Sequence, residues 1–144
     1  MGKIINSGFQ NSLDYFGVIK SPKVFFYDNG DVIGDEGAVF ENLVATQLLK
    51  NLHFLEDRDG YRYELRYIRD KEGREVDFLI LKEGIIEELI EVKLSDNRVS
   101  KHLKYYAEKL NPVKATQIVA NLKHSYSSGK IQVLDPATYF KRRL

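Results

Sequence analysis

The stretch Arg74-Glu75-Val76-Asp77-Phe78-Leu79-Ile80-Leu81, then Lys82-Glu83-Gly84, then Ile85-Ile86-Glu87-Glu88-Leu89-Ile90-Glu91-Val92-Lys93-Leu94, decides the fold. Two apolar, β-prone runs around a Gly-containing turn predict a hairpin of core-type strands. Asp77, Glu91 and Lys93 stand inside it, and an ionised group taken out of water needs an opposite charge, hydrogen bonds or a metal. Residues two apart in a strand share a face, so Asp77 is expected with Glu75 and Leu79, and Glu91 with Lys93 opposite Ile90 and Val92. Pairing symmetric about Gly84 sets Asp77 across from Glu91 and Glu75 across from Lys93, with β-carbons roughly 4.5–5.5 Å apart. Two carboxylates at that spacing can share one Mg²⁺ or Mn²⁺, a hard cation that accepts one or two carboxylates and keeps several waters. Lys93 can orient or activate an attacking water and offset charge at a phosphorus transition state. The bland alternative is an ion-pair ladder on an exposed sheet face. With 11 Glu and 14 Lys in 144 residues, about one Glu-x-Lys arises by chance, and one occurs, so the tripeptide gains meaning only from its apolar context.

A chain of 144 residues with 43% hydrophobic content is the size of one domain that can bury its own core. The absence of cysteine excludes disulfides and thiolate metal sites. No apolar run is long enough for a bilayer and residues 1–11 lack a signal-peptide pattern, so no membrane partner and a cytoplasmic location are expected. The net charge of +1 conceals a split: residues 1–96 hold 12 Lys and Arg against 19 Asp and Glu, and residues 97–144 hold 10 against 2. Such asymmetry suits a protein that holds cations with one part and meets polyphosphate with another, and it also occurs on surfaces with no such role.

Residues 1–20 lack a sustained period and are expected to form an N-terminal arm or the remnant of a preceding domain, with the domain proper over 21–144. A short strand is predicted at Lys23–Tyr27, closed by Asp28-Asn29-Gly30-Asp31. Asp35 is a plausible N-cap for a helix over 37–53, with Phe40, Leu43, Val44, Leu48 and Leu52 on one face and Glu41 beside them. Tyr61, Tyr63, Leu65 and Tyr67 alternate with Arg62, Glu64 and Arg66 as a half-exposed strand before the Asp70–Gly73 turn. After the hairpin, Ser100 can cap a helix with Leu103, Tyr106, Ala107 and Leu110 buried, ended by Asn111-Pro112. Thr116–Ala120 and Ile131–Leu134 read as strands around a polar 123–130 loop, and Pro136 starts a last helix. The order predicts an α/β fold, a mixed sheet flanked by helices.

Ser21-Pro22-Lys23-Val24-Phe25-Phe26-Tyr27-Asp28, Phe40-Glu41-Asn42-Leu43-Val44, Glu75-Val76-Asp77-Phe78 and Ile90-Glu91-Val92-Lys93 together resemble the C-terminal domain of a prokaryotic family of predicted AAA-type ATPases. That domain is similar to the PD-(D/E)XK nuclease superfamily, and the likeness covers about Ser21 to Lys123. It implies a restriction-endonuclease-like core, Asp77 and Glu91 as metal ligands, Lys93 as the catalytic lysine and Glu41 as an auxiliary acid and ligand. The Gly-rich phosphate loop of an ATPase is absent. The Gln-x-x-x-Tyr pattern of some superfamily members is replaced by Lys101 before Tyr105 and His102 before Tyr106.

Arg98, Lys101, Lys104, Lys141, Arg142 and Arg143 are the candidate phosphate contacts, since affinity for nucleic-acid backbone comes mainly from such charges. Each alone is more often a solvated residue, and His102 is more often an inert helix-surface residue than a site group. No groove-reading motif is present, so DNA recognition that is not base-specific is expected. The function expected is Mg²⁺-dependent hydrolysis of DNA. The alternative is a catalytically silent module that binds DNA or an ATPase domain or partner, and a homodimer is a further candidate assembly.

Overall fold

Asp35 opens the first long element in the way the sequence predicts, its carboxylate accepting from the Ala38 amide at 2.9 Å at the start of helix α1, Glu36–Asp59. The computed structural model describes residues 2–5, 23–26, 30, 32 and 34–144. Helix α1 runs past the predicted end at His53 to Gly60, whose φ of 74° lets the backbone turn out of the helix. The longer helix centres its buried stripe on Val44, Leu48, Leu52 and Leu55, which leaves Leu43, expected in that stripe, exposed.

Strands β1 (Gly2–Ile5) and β2 (Lys23–Phe26) pair antiparallel as a separate two-stranded sheet. Gly2–Ile5 falls in the stretch expected to be an arm; the rest of that stretch, Ser21-Pro22 and most of the predicted 28–31 turn lie outside the described residues. Six further strands form one sheet: β3 (Tyr63–Arg69), β4 (Glu75–Lys82), β5 (Ile85–Lys93), β6 (Lys114–Val119), β7 (Tyr126–Ser128) and β8 (Ile131–Leu134), in the order β3-β4-β5-β6-β8-β7. Pairing is antiparallel from β3 to β5, parallel from β5 through β6 to β8, and antiparallel at the β7 edge. The fold is therefore α/β with a mixed sheet. Strand β7 lies inside the segment expected to be loop. Strand β3 begins at Tyr63 rather than Tyr61, because the Glu56 carboxylate takes the Tyr63 amide at 2.7 Å and Tyr61 is exposed beside the Lys82 ammonium.

Helix α2 (Lys101–Leu110) starts at its Ser100 cap and ends at Asn111, φ 45°, and α3 (Pro136–Lys141) starts at Asp135. One sheet face packs Phe78, Ile80, Ile90, Val92 and Ile118 against Val44, Leu48 and Leu52 of α1 and Tyr139 of α3. The other packs Leu79, Leu81, Leu89 and Ala115 against Leu103, Tyr106 and Ala107 of α2. Burial of these apolar side chains, at about 25 cal/mol per Å², is what holds the layers together.

A buried ion pair ties the end of the described chain into the first face. Glu88, 1% exposed, accepts from Thr116 at 2.7 Å and from Tyr139 at 3.1 Å, and Arg143 meets it at 2.5 Å. Arg143 also bonds Asn51 of α1 at 2.8 Å. Its guanidinium is thus a structural cation, not the open phosphate contact that its basic neighbours suggest. Arg143→Met is expected to cost about 3 kcal/mol in urea unfolding, since it strands a buried carboxylate, while Lys141→Ala changes stability by less than ~0.5 kcal/mol. Equal effects of the two substitutions would contradict this assignment.

Candidate active site

The turn between β4 and β5 is as short as a hairpin turn can be. Glu83 and Gly84 both have positive φ, 51° and 76°, the signature of the mirror-image two-residue turn that matches strand twist. Glu83 is held there by Arg62, whose carbonyl accepts the Glu83 amide at 2.9 Å and whose amide donates to the Glu83 carboxylate. Such a turn pairs Lys82 with Ile85 and Leu81 with Ile86. Continued without interruption, that register would set Asp77 against Ile90 and leave Glu91 on the other face. Glu87 is an extra residue in β5, so pairing resumes as Ile80 with Glu88, Leu79 with Leu89 and Phe78 with Ile90. Over these pairs the register is symmetric about Gly84, as predicted, and it aims Asp77 at Glu91.

A second bulge finishes the site. Ile68 pairs with Val76 and Arg66 with Leu79, so Asp77 and Phe78 together face Tyr67. The strict alternation expected for β4 therefore breaks: Val76 and Leu79, three apart, both pack on the α2 face. Glu75 pairs with Arg69 in β3, with its carboxylate 2.6 Å from that guanidinium, and the β4–β5 ladder ends at the Phe78–Ile90 pair before it reaches Glu75 and Lys93. The Asp77 carboxylate accepts the Val92 amide at 2.9 Å, so a side chain occupies the place of a ladder bond. The β4–β5 ladder ends beside it, at the Phe78–Ile90 pair.

Glu91 alternates with Ile90 and Val92 and so lies on the α2 side of the sheet, 5% exposed. One carboxylate oxygen meets the Lys93 ammonium at 2.8 Å. The other is buried and has no hydrogen-bond partner among the described residues. Burial, and then the negative charge of Asp77, push the Glu91 carboxyl up to about 7 against the opposing pull of Lys93 and, more weakly, of the Asp77 backbone amide, which lies near the carboxylate without bonding the second oxygen in good geometry. Burial works against the Lys93 charge, but its bond to Glu91 and the charges of Glu91, Asp77 and Asp96 outweigh it and hold the ammonium above its ordinary value. Lys93 is therefore a cation and proton donor near neutrality, not a base.

Gln117 of β6, paired with Glu91 and fully buried, is a site residue that sequence reasoning missed. Its carbonyl accepts the Ser100 amide at 2.8 Å and its amide donates to the Arg98 carbonyl at 2.9 Å, which fixes the loop after Lys93 and the start of α2. The available signal was an amide alone among Ala115, Thr116, Ile118 and Val119.

Asp77, Glu91 and Lys93 are thus brought together. Glu41 lies on α1, which packs on the opposite face; Arg69 is held charged by Glu75 first and also by Glu41. Among the described residues no three His, Asp or Glu side chains are gathered closely enough to hold a metal. His102 is exposed, its ring accepting the Glu75 amide at 3.4 Å. Arg98 is bound by Asp96 at 3.1 Å near the end of β5, and Lys101 is exposed at the start of α2. Lys104 lines a separate groove of about 400 Å³ with Glu108, Gly129 and Lys130. The two carboxylates and the orphaned Glu91 oxygen fit a hard cation that needs few protein ligands.

A family model described as a domain of unknown function, DUF4143, matches residues 36–139. The chain belongs to this family. The match begins with the first residue of α1 and reaches Tyr139 in α3, so the six-stranded sheet and the Asp77, Glu91 and Lys93 constellation belong to the DUF4143 domain itself. No curated protein and no solved structure matches the chain.

A carboxyl raised in the folded state stabilises below its unfolded value, ~4.3, and that contribution is lost as pH rises through about 7. In metal-free buffer Glu91→Gln is therefore expected to be more stable than the parent at pH 8, by about 1–3 kcal/mol, with the gap closing toward pH 5. Thermal melts with chelator at both pH values measure it; a parent that gains on the variant as pH rises would contradict the burial account.

Proposed function

We propose that this DUF4143 domain is a metal-dependent nuclease that hydrolyses DNA phosphodiester bonds, with a restriction-endonuclease-like core of the PD-(D/E)XK kind. The observation that carries the reading is the buried Glu91 oxygen without a partner, beside the Asp77 carboxylate and the Lys93 ammonium. A buried acceptor left unmet costs on the order of 1–3 kcal/mol, and active sites are where such a cost is retained. Asp77 and Glu91 are the residues that would hold Mg²⁺ or Mn²⁺, which would supply Lewis acidity and neutralise phosphate charge.

The chain's own groups do the rest. The Val92 amide orients Asp77, and the bulge at Asp77 and Phe78 takes Asp77 out of regular pairing with β3. Lys93, charged and 39% exposed on its side chain, reaches the surface where a phosphodiester would sit. Its ammonium donates to the attacking water or a non-bridging oxygen and offsets charge as five-coordinate phosphorus forms. Glu41 is the auxiliary acid of this reading, placed on α1 within electrostatic reach of Arg69. The family is often found with AAA-type ATPases, which supports an ATPase domain or partner as the motor for such a nuclease. One observation favours the second reading, a catalytically silent module that binds DNA or that ATPase: the absence of a three-residue metal group among the described residues.

Purified protein incubated with linear and branched duplexes and Mg²⁺ or Mn²⁺ separates the two. Cleavage is expected, falling about 100-fold or more in Asp77→Ala and in Lys93→Ala. Cleavage that persists in both variants, or none by the parent, would sink the nuclease reading; metal-independent binding unchanged by Asp77→Ala would support the silent module.

A further inference from the structure

The backbone beyond β5 and the backbone beyond β6 are laced into one rim. The Ala120 amide donates to the Lys93 carbonyl at 3.0 Å and the Asn121 amide to the Leu94 carbonyl at 2.9 Å, so β6 is carried past its end alongside the residues that follow the site lysine. The Asn121 side chain then donates to the Ser95 hydroxyl at 3.0 Å, and the Tyr126 hydroxyl donates to the Asn97 carbonyl. Gln117 fixes the same loop from beneath through Arg98 and Ser100. The segment 121–126, which overlaps the polar 123–130 loop expected from sequence, is therefore tied at both ends to the loop that follows the carboxylate site.

Charge on this rim is distributed unevenly. Arg98 is matched by Asp96, and Lys93 by Glu91. Lys101 and Lys123 are exposed and make no ion pair with an Asp or Glu among the described residues, and His124 is exposed beside Lys123. The other basic groups are elsewhere or engaged: Lys130 donates to Asn111 at 3.1 Å, and Arg143 is committed to Glu88. Glu88 precedes Lys93 by five residues, ~16 Å along a strand, and its side chain is on the α1 face, so the C-terminal basic cluster belongs to a different part of the surface.

We propose that Lys123, on the β6–β7 loop, and Lys101, at the start of α2, grip the polyphosphate backbone of duplex DNA at this rim, and that Lys141 and Arg142 do not. The proposal rests on the reading of this end of the sheet as a nucleic-acid site, but not on catalysis there. A hydrogen-bonded rim that presents two cations without acidic partners positions a backbone without reading bases, because phosphate contacts set register and carry no sequence information.

Metal-free anisotropy titrations of a short labelled duplex at low salt test it, with melts to verify that each variant is folded. Lys101→Glu with Lys123→Glu is expected to weaken binding about 10-fold or more and to flatten the salt dependence by ~2 in slope, while Lys141→Glu with Arg142→Glu leaves both within about 2-fold. The milder Lys101→Gln with Lys123→Gln should fall between. Undiminished binding by the rim variants, an equal or larger loss from the tail variant, or no binding by the parent each overturns the proposal. Rim-dependent binding by a protein that leaves the duplex uncleaved once Mg²⁺ or Mn²⁺ is added would remove the nuclease reading and leave the rim assignment supported.

Discussion

A carboxylate on β5 has little water available to it, because β4 and β6 flank that strand and α2 packs over its face. Glu91 sits in this position with one oxygen on Lys93 and the other unmet. Bringing Asp77 beside it makes the electrostatics worse, and the Glu91 carboxyl responds by rising to about 7. Much of the surrounding structure follows from holding these groups together: the Val92 amide fixes Asp77, Gln117 fixes the loop after Lys93, and the apolar faces of α1 and α2 clamp the sheet from both sides. A fold optimised for stability alone would replace the carboxylates with apolar groups. Their retention is intelligible if a cation completes them.

The hairpin solves a geometric conflict. A two-residue turn at Glu83 and Gly84 matches the strand twist but dictates a register that puts Asp77 and Glu91 on opposite faces. One additional residue, Glu87, restores the register the site needs. The second bulge, at Asp77 and Phe78, removes Asp77 from regular pairing with β3 and lets its carboxylate turn to the Val92 amide. Position in the sheet, not residue type alone, thus makes an ordinary Asp and Glu into a pair.

The elements and the site hairpin were legible in the sequence because apolar period, caps and turn residues are local signals. Asp35, Ser100 and Pro136 mark helix starts where the structure has them. Symmetry about Gly84 was legible too, although it is reached through a bulge that leaves no compositional trace. For the same reason the shared face of Val76 and Leu79 could not be read by alternation. Arg143 escaped because its neutralising partner, Glu88, is distant in sequence, and a basic tail reads as solvated until tertiary contacts exist. Gln117 and the β6–β7 loop escaped because their roles depend on hydrogen bonds to another loop.

If Asp77 and Glu91 form a cation site, a divalent ion completes the buried Glu91 oxygen. Calorimetric titration of Mn²⁺ into the metal-free protein near neutral pH tests it most directly. Saturable binding of about one ion per chain with proton release is expected, abolished in Glu91→Gln. Absence of binding by the parent, or binding undiminished in the variant, would contradict it.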